Sequence, residues 1–151
     1  MKNLLLSFAL VLLSFAGYAT SSGIEIINQS DCDIYIQIQG SKTCPSCDVE
    51  YISNMIVVPA SGTALFPNTT MLGGSFPVAM PAFVHSAIIY SGPTYCQPLE
   101  RWRIGDQICN YPPEIVFWSM NQNCDRKCDC LRARWLPAPC TGIARIIIQP
   151  C

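Results

Sequence analysis

Histidine is nearly absent: His85 is the only one in 151 residues. A serine or cysteine triad needs a base beside its nucleophile and a third group to orient it. A lone imidazole with no partner spacing argues against that chemistry. The strained Gly-x-Ser-x-Gly turn of the α/β hydrolases is also missing. Ten acids are present, and no spacing singles out two as a general acid and base. Charge is scarce at 13%, and the net value is −1. No basic field of the kind that attracts nucleic acid is therefore expected. Beyond the N-terminal segment, no apolar run approaches the roughly 20 residues of a spanning helix. Repeats and low-complexity tracts are absent. Long stretches free of proline and glycine are rare, which leaves little room for helices.

Cysteine, in contrast, is abundant. Ten are present: Cys32, Cys44, Cys47, Cys96, Cys109, Cys124, Cys128, Cys130, Cys140 and Cys151. All follow a segment that reads as an export signal, residues 1–19. Lys2 supplies a positive start, residues 4–15 are an apolar run too short to span, and Gly17-Tyr18-Ala19 offers small residues for cleavage. The mature chain is then residues 20–151, a single domain, secreted or periplasmic. Cys32 lies well past the cleavage region, so no lipidated N-terminal cysteine is expected, and residues 146–151 are too short for a lipid-anchor tail. Ten thiols in an oxidising compartment are expected to form five disulfides. A domain of this size can fold on its core alone, so five cross-links point to long irregular loops and to resistance against harsh surroundings.

The remaining residues read as strands. Ile34, Ile36 and Ile38 alternate with Tyr35, Gln37 and Gln39, the period of a half-buried strand. Residues 24–27, 49–58, 63–66, 83–90, 101–104, 115–120, 131–136 and 143–149 are further candidates, rich in β-branched and aromatic residues. Turn residues such as Ser61-Gly62, Gly73-Gly74, Ser91-Gly92-Pro93 and Pro112-Pro113 separate them at short intervals. The expected fold is all-β: an antiparallel β-sandwich of about eight strands with long disulfide-stapled loops. Residues 119–135 hold neither proline nor glycine, and Cys124, Cys128, Leu131 and Trp135 share a face at helical spacing. Asp125 and Asp129 would repel in such a helix, so a loop leading into a strand is favoured.

Three residue groups invite a chemical reading. Pleating puts Arg101 and Arg103 opposite Trp102 and Ile104, Arg132 and Arg134 opposite Leu131, Ala133 and Trp135, and Arg145 opposite Ile146. Arg101, Arg103, Arg132, Arg134 and Arg145 thus form a candidate arginine-rich ligand face, suited to carboxylate, sulfate or phosphate groups. Cys124, Cys128 and Cys130 with Cys44 and Cys47 could build a zinc site, but in an exported chain disulfides compete and no metal is expected. The oxygen-bearing side chains of Asn121, Asn123, Asp125 and Asp129 alternate as in calcium loops. Arg126 and Arg132, however, stand where such a loop needs glycine and a bidentate glutamate, so a polar hairpin tip is expected. His85 shares a face with Phe83, Ala87 and Ile89 and is expected in the interior. Asn28 and Asn68 head Asn-x-Ser/Thr sequons.

Two short resemblances to known families complete the reading. Ser41-Lys42-Thr43 followed by Cys44-Pro45-Ser46-Cys47, after a strand, resembles the glutaredoxin active site. The likeness covers about fifteen residues. That family needs a long helix next, whereas here apolar residues alternate or run together and Val58-Pro59 follows almost at once. The likeness implies a reactive thiol at Cys44 or Cys47. Residues 24–35 look like the start of thaumatin-like proteins, secreted disulfide-rich β-proteins, over about a dozen positions.

The expected function is a non-catalytic extracellular module, not an enzyme and without a cofactor. It would bind a glycan or protein through end loops or the arginine face. The alternatives are a thiol–disulfide oxidoreductase using Cys44 and Cys47, and a structural subunit that self-associates. The last reading rests on a charge asymmetry of −5 for residues 20–100 against +3 for residues 101–151.

Overall fold

The computed structural model describes residues 22–151, and the expected export signal, residues 1–19, lies outside them. Among the described residues there are ten strands, two 3-10 turns and no α-helix. The strands are β1 (Gly23–Asn28), β2 (Ile34–Ser41), β3 (Tyr51–Ile52), β4 (Ile56–Val58), β5 (Thr63–Phe66), β6 (Phe83–Tyr90), β7 (Arg101–Gly105), β8 (Glu114–Met120), β9 (Arg126–Leu136) and β10 (Ile143–Pro150). Eight of them have four or more residues, so the expected sandwich is present. One sheet runs β5-β1-β10-β9-β8; the other runs β3-β2-β6-β7, with β4 also paired to β2. Every pairing is antiparallel except β1 with β10, which is parallel.

Isoleucine builds the core. Ile24 and Ile26 of β1, Ile34, Ile36 and Ile38 of β2, Ile89 of β6, and Ile146 and Ile148 of β10 are all fully buried. Each removes roughly 1.5–3 kcal/mol worth of apolar surface from water, as an upper bound. The alternation in β2 places these residues inward and Tyr35, Gln37 and Gln39 on the outer face. Trp102 of β7 packs on Phe117 of β8 with ring centroids 5.8 Å apart, closing one side of the sandwich. Trp135 is buried between the sheets.

Three local readings need correction or resolution. Residues 49–58 are not one strand: β3 and β4 both pair with β2, and Ser53 interrupts them. Its Oγ accepts from the Ile38 amide at 2.8 Å, replacing the carbonyl that a continuous ladder would supply. Residues 119–135 are not a helix. A turn at 121–125 leads into β9, which gains ladders on both sides, with β8 and β10. The His85 face is also shifted. Gln39 pairs with Ser86 but Gly40 pairs with Val84, so His85 is the extra residue of a bulge. Val84, not His85, joins Ala87 and Ile89 in the apolar core.

Candidate functional site

Strand direction sorts the loops into two ends. Because β2, β6, β7, β8, β9 and β10 alternate in direction, residues 29–33, 59–62, 91–100 and 121–125 gather at one end with Cys151. Residues 42–50, 67–82, 106–113 and 137–142 gather at the other. All ten cysteines are bridged. Cys32–Cys128, Cys96–Cys124 and Cys130–Cys151 tie the first end; Cys44–Cys140 and Cys47–Cys109 tie the second.

The first end holds an open cleft of about 260 Å³ lined by Tyr35, Met55, Val57, Pro93, Thr94, Tyr95 and Gln122. Tyr35 lies on the outer face of β2, next to Val57 of β4 and Tyr90 of β6. It is only 4% exposed, yet its hydroxyl has no hydrogen-bond partner. Burial raises its pKa, with the Asp33 charge and then Tyr95 adding to the effect, so it stays a protonated donor. Tyr95 is 66% exposed, and its hydroxyl donates to the Gln122 carbonyl at 2.9 Å. The walls are fixed. Cys96–Cys124 joins the loops that carry Tyr95 and Gln122. The Asn121 side chain accepts from the Asn123 and Asp125 amides at 2.8 and 3.0 Å, Ser119 Oγ donates to the Asp33 carbonyl at 2.9 Å, and Met120 N donates to the Ser91 carbonyl at 2.6 Å.

The five arginines do not form one face. All are exposed and outward, as the alternation implies, but Arg101 and Arg103 lie on β7 of one sheet. Arg132, Arg134 and Arg145 lie on β9 and β10 of the other, so the two groups point away from each other. Two are partnered: Arg145 Nε sits 2.6 Å from Glu25 and Arg132 Nε 3.7 Å from Glu114. Arg103 lies over the Tyr111 ring, 5.3 Å from its centroid. Arg132 and Arg134 do share a depression of about 160 Å³ with Glu114, Ile147 and Gln149. Both sheets mix strands from the acidic and basic halves of the chain, so the charge asymmetry in sequence is interleaved in space.

Cys44 and Cys47 are bonded to Cys140 and Cys109, not to each other, and no helix follows them. The glutaredoxin likeness therefore ends at the motif. The cysteines weighed as zinc ligands are likewise bridged, and no cluster of metal-ligating side chains occurs among the described residues. Residues 121–125 form the hairpin turn between β8 and β9, and Arg126 at the start of β9 pairs with Asp129 at 2.8 Å. Asn28 is buried. Its Nδ2 donates to the carbonyls of Cys32, Val58 and Pro59 at 2.7, 3.2 and 2.8 Å, so its sequon nitrogen is occupied. Asn68 is exposed in the 67–82 loop.

His85 is fully buried at the second end. Its Nε2 donates to the Asp48 carbonyl at 3.1 Å, and its Nδ1 lies 3.1 Å from Ser86 Oγ, whose proton goes to Gln39 Oε1 at 3.1 Å. Tyr111 stacks on it at 6.0 Å. Burial, and secondarily Arg103, push its pKa down against the pull of the Asp48 carbonyl and the Asp106 and Asp48 charges. Asp106 caps the turn at Gln107–Cys109 by accepting from Ile108 N at 3.1 Å, while its Oδ2 is buried without a partner. Burial raises its pKa.

No protein-family model, curated protein or solved structure matches this chain. Sequence reasoning missed the cleft. Its one signal was Tyr35, a large aromatic at a polar phase of β2 beside Gln37 and Gln39, where a side chain that size needs a covering loop.

Proposed function

We propose that this protein is an exported, non-catalytic binding module that takes its ligand in the Tyr35–Tyr95 cleft. The carrying observation is the cleft itself, lined by Tyr35, Met55, Val57, Pro93, Thr94, Tyr95 and Gln122 between cross-linked loops. An apolar concavity with a few convergent polar groups is the usual form of a small-ligand site. The cross-linked loops support the same reading, because walls ordered before binding lose little entropy when the ligand arrives. The arginines support a ligand face less well, being split between opposite surfaces and partly neutralised.

The test is amide chemical-shift mapping with a library of small polar and aromatic fragments. Saturable shifts should cluster at Tyr35, Met55, Val57, Tyr95 and Gln122 and disappear in Tyr95→Ala. Clustering at Arg132, Arg134 and Gln149 instead would refute the assignment.

A further inference from the structure

The two ends of the sandwich differ in surface chemistry. The second-end loops, residues 42–50, 67–82, 106–113 and 137–142, carry five exposed large apolar side chains: Val49, Met71, Val78, Met80 and Ile108. Ile52 and Ile143, also exposed, stand just past two of these loops. The first-end loops carry one such residue, Tyr95. Single exposed apolar residues are ordinary, but their gathering at one end marks a contact surface. Cross-links draw the loops together. Cys47–Cys109 joins the loop of Val49 to that of Ile108, and Cys44–Cys140 joins it to the segment before Ile143. Ile52 N donates to Ser75 Oγ at 2.7 Å, which ties β3 to the 67–82 loop.

That loop is anchored with its apolar tip outward. Thr69 Oγ1 donates to the Ala82 carbonyl at 3.1 Å and accepts from Ala82 N at 2.9 Å, closing the base. Leu72 and Phe76 turn into the core. Met71, Val78 and Met80 stay in solvent, Val78 at 82% exposure.

Charge and chain direction indicate what covers this end. Residues 67–82 and 137–142 contain no Asp, Glu, Lys or Arg. The other two loops expose only Lys42, Asp48 and Glu50 as charges, and Asp106 is buried. Attraction to anionic lipid needs clustered lysine or arginine, which these loops lack. Protein interfaces are anchored by aromatic residues and arginine. Here the exposed apolar side chains are Val, Met and Ile; Phe76 is buried, and Tyr111 is half-buried and already stacked on His85. The chain also enters the fold at this end: Ser22 N donates to the Gly142 carbonyl at 3.0 Å, and Gly23 pairs with Ile143. Between Gly23 and the apolar run of residues 4–15 lie residues 16–22, which can span at most about 25 Å. A membrane that takes up this run during export is therefore held close to the second end.

We propose that the second end docks on an uncharged, zwitterionic lipid surface, with Val78 and Met80 entering the boundary between headgroups and acyl chains. Contact is peripheral, since no helix among the described residues is long and apolar enough to cross a membrane. The proposal is independent of the cleft reading, and docking this way leaves the cleft at the opposite end facing solvent. The test is sedimentation of the mature, disulfide-intact protein with vesicles of phosphatidylcholine alone and of phosphatidylcholine mixed with phosphatidylserine. Protein without N-glycans is used, because Asn68 of the exposed sequon lies in the same loop. Phosphatidylcholine vesicles should carry the protein down, and neither phosphatidylserine nor added salt should change the partition by more than about twofold. Val78→Asp/Met80→Asp should weaken it at least about tenfold with an unchanged melting temperature. Tyr95→Ala should bind as the unaltered protein does. Failure to sediment with phosphatidylcholine, or undiminished binding by Val78→Asp/Met80→Asp, overturns the proposal. So does binding that requires phosphatidylserine and is lost in salt, which would move the contact to the arginines. A concentration-dependent dimer in sedimentation velocity that Val78→Asp/Met80→Asp abolishes would assign the face to a second copy of the chain and overturn it equally.

Discussion

Removing Cys96–Cys124 in one variant and Cys130–Cys151 in another separates what the bridges do for the whole fold from what they do for the cleft. Cys96–Cys124 spans 28 residues and Cys130–Cys151 spans 21. Loop closure in the unfolded chain makes these worth about 3.6 and about 3.3 kcal/mol respectively. Global stability should therefore fall by nearly the same amount in Cys96→Ala/Cys124→Ala and in Cys130→Ala/Cys151→Ala, read by urea unfolding under tryptophan fluorescence. Local consequences should differ. Cys96 N donates to the Pro93 carbonyl at 3.0 Å and Cys124 N to the Asn121 carbonyl at 3.1 Å, and both turns border the cleft. Without their bridge, hydrogen exchange at residues 93–97 and 121–125 should accelerate well beyond the global change. Cys130–Cys151 joins β9 to the residue after β10 and touches neither turn, so its loss should leave those amides protected relative to global unfolding. Equal loosening of the two turns in both variants would refute the claim that Cys96–Cys124 holds the cleft.

Further expectations follow from buried polar groups. Asn28→Ala should cost about 3–5 kcal/mol in urea unfolding, because it removes three buried hydrogen bonds to backbone carbonyls and the Oδ1 that accepts from the Ser30 amide and hydroxyl; a loss below about 1 kcal/mol would contradict the network. Since burial lowers the folded pKa of His85, the unfolded chain binds the extra proton first. Stability should decline as pH drops below about 6.5 toward that lowered value, and His85→Gln should flatten this slope. Asp106 is the opposite case: its raised folded pKa makes its charge unfavourable to folding at neutral pH, an effect relieved as pH falls through that pKa. Asp106→Asn keeps an oxygen for Ile108 N and should raise the melting temperature at pH 7 while leaving it little changed near pH 3.

Local pattern carried much of the architecture. Strict alternation marked β2, and β-branched runs between turn residues marked β6, β7, β8 and β10 close to their observed bounds. Long-range pairing decided the rest. Residues 119–135 have acceptable helical spacing, but both neighbours of β9 offer ladders that a helix would forfeit. The alternation correctly turned five arginines outward, yet nothing local says that the chain crosses between sheets after β7, which sends Arg103 and Arg132 to opposite faces. The bulge at His85 inserts one residue, which turns Val84 inward in place of His85, and it left no trace in composition. Cysteine pairing was open for the same reason: partners up to 96 residues apart are set by which strands align. The cleft draws Tyr35, Val57, Tyr95 and Gln122 from four separate segments, so only the assembled fold brings them together.

Disulfide mapping of the purified, non-reduced protein by peptide mass spectrometry tests the central claim, that sulfur here is scaffold for two loop ends. The account predicts Cys32–Cys128, Cys44–Cys140, Cys47–Cys109, Cys96–Cys124 and Cys130–Cys151 with no free thiol. A Cys44–Cys47 linkage, or an alkylatable thiol at either residue, would contradict it.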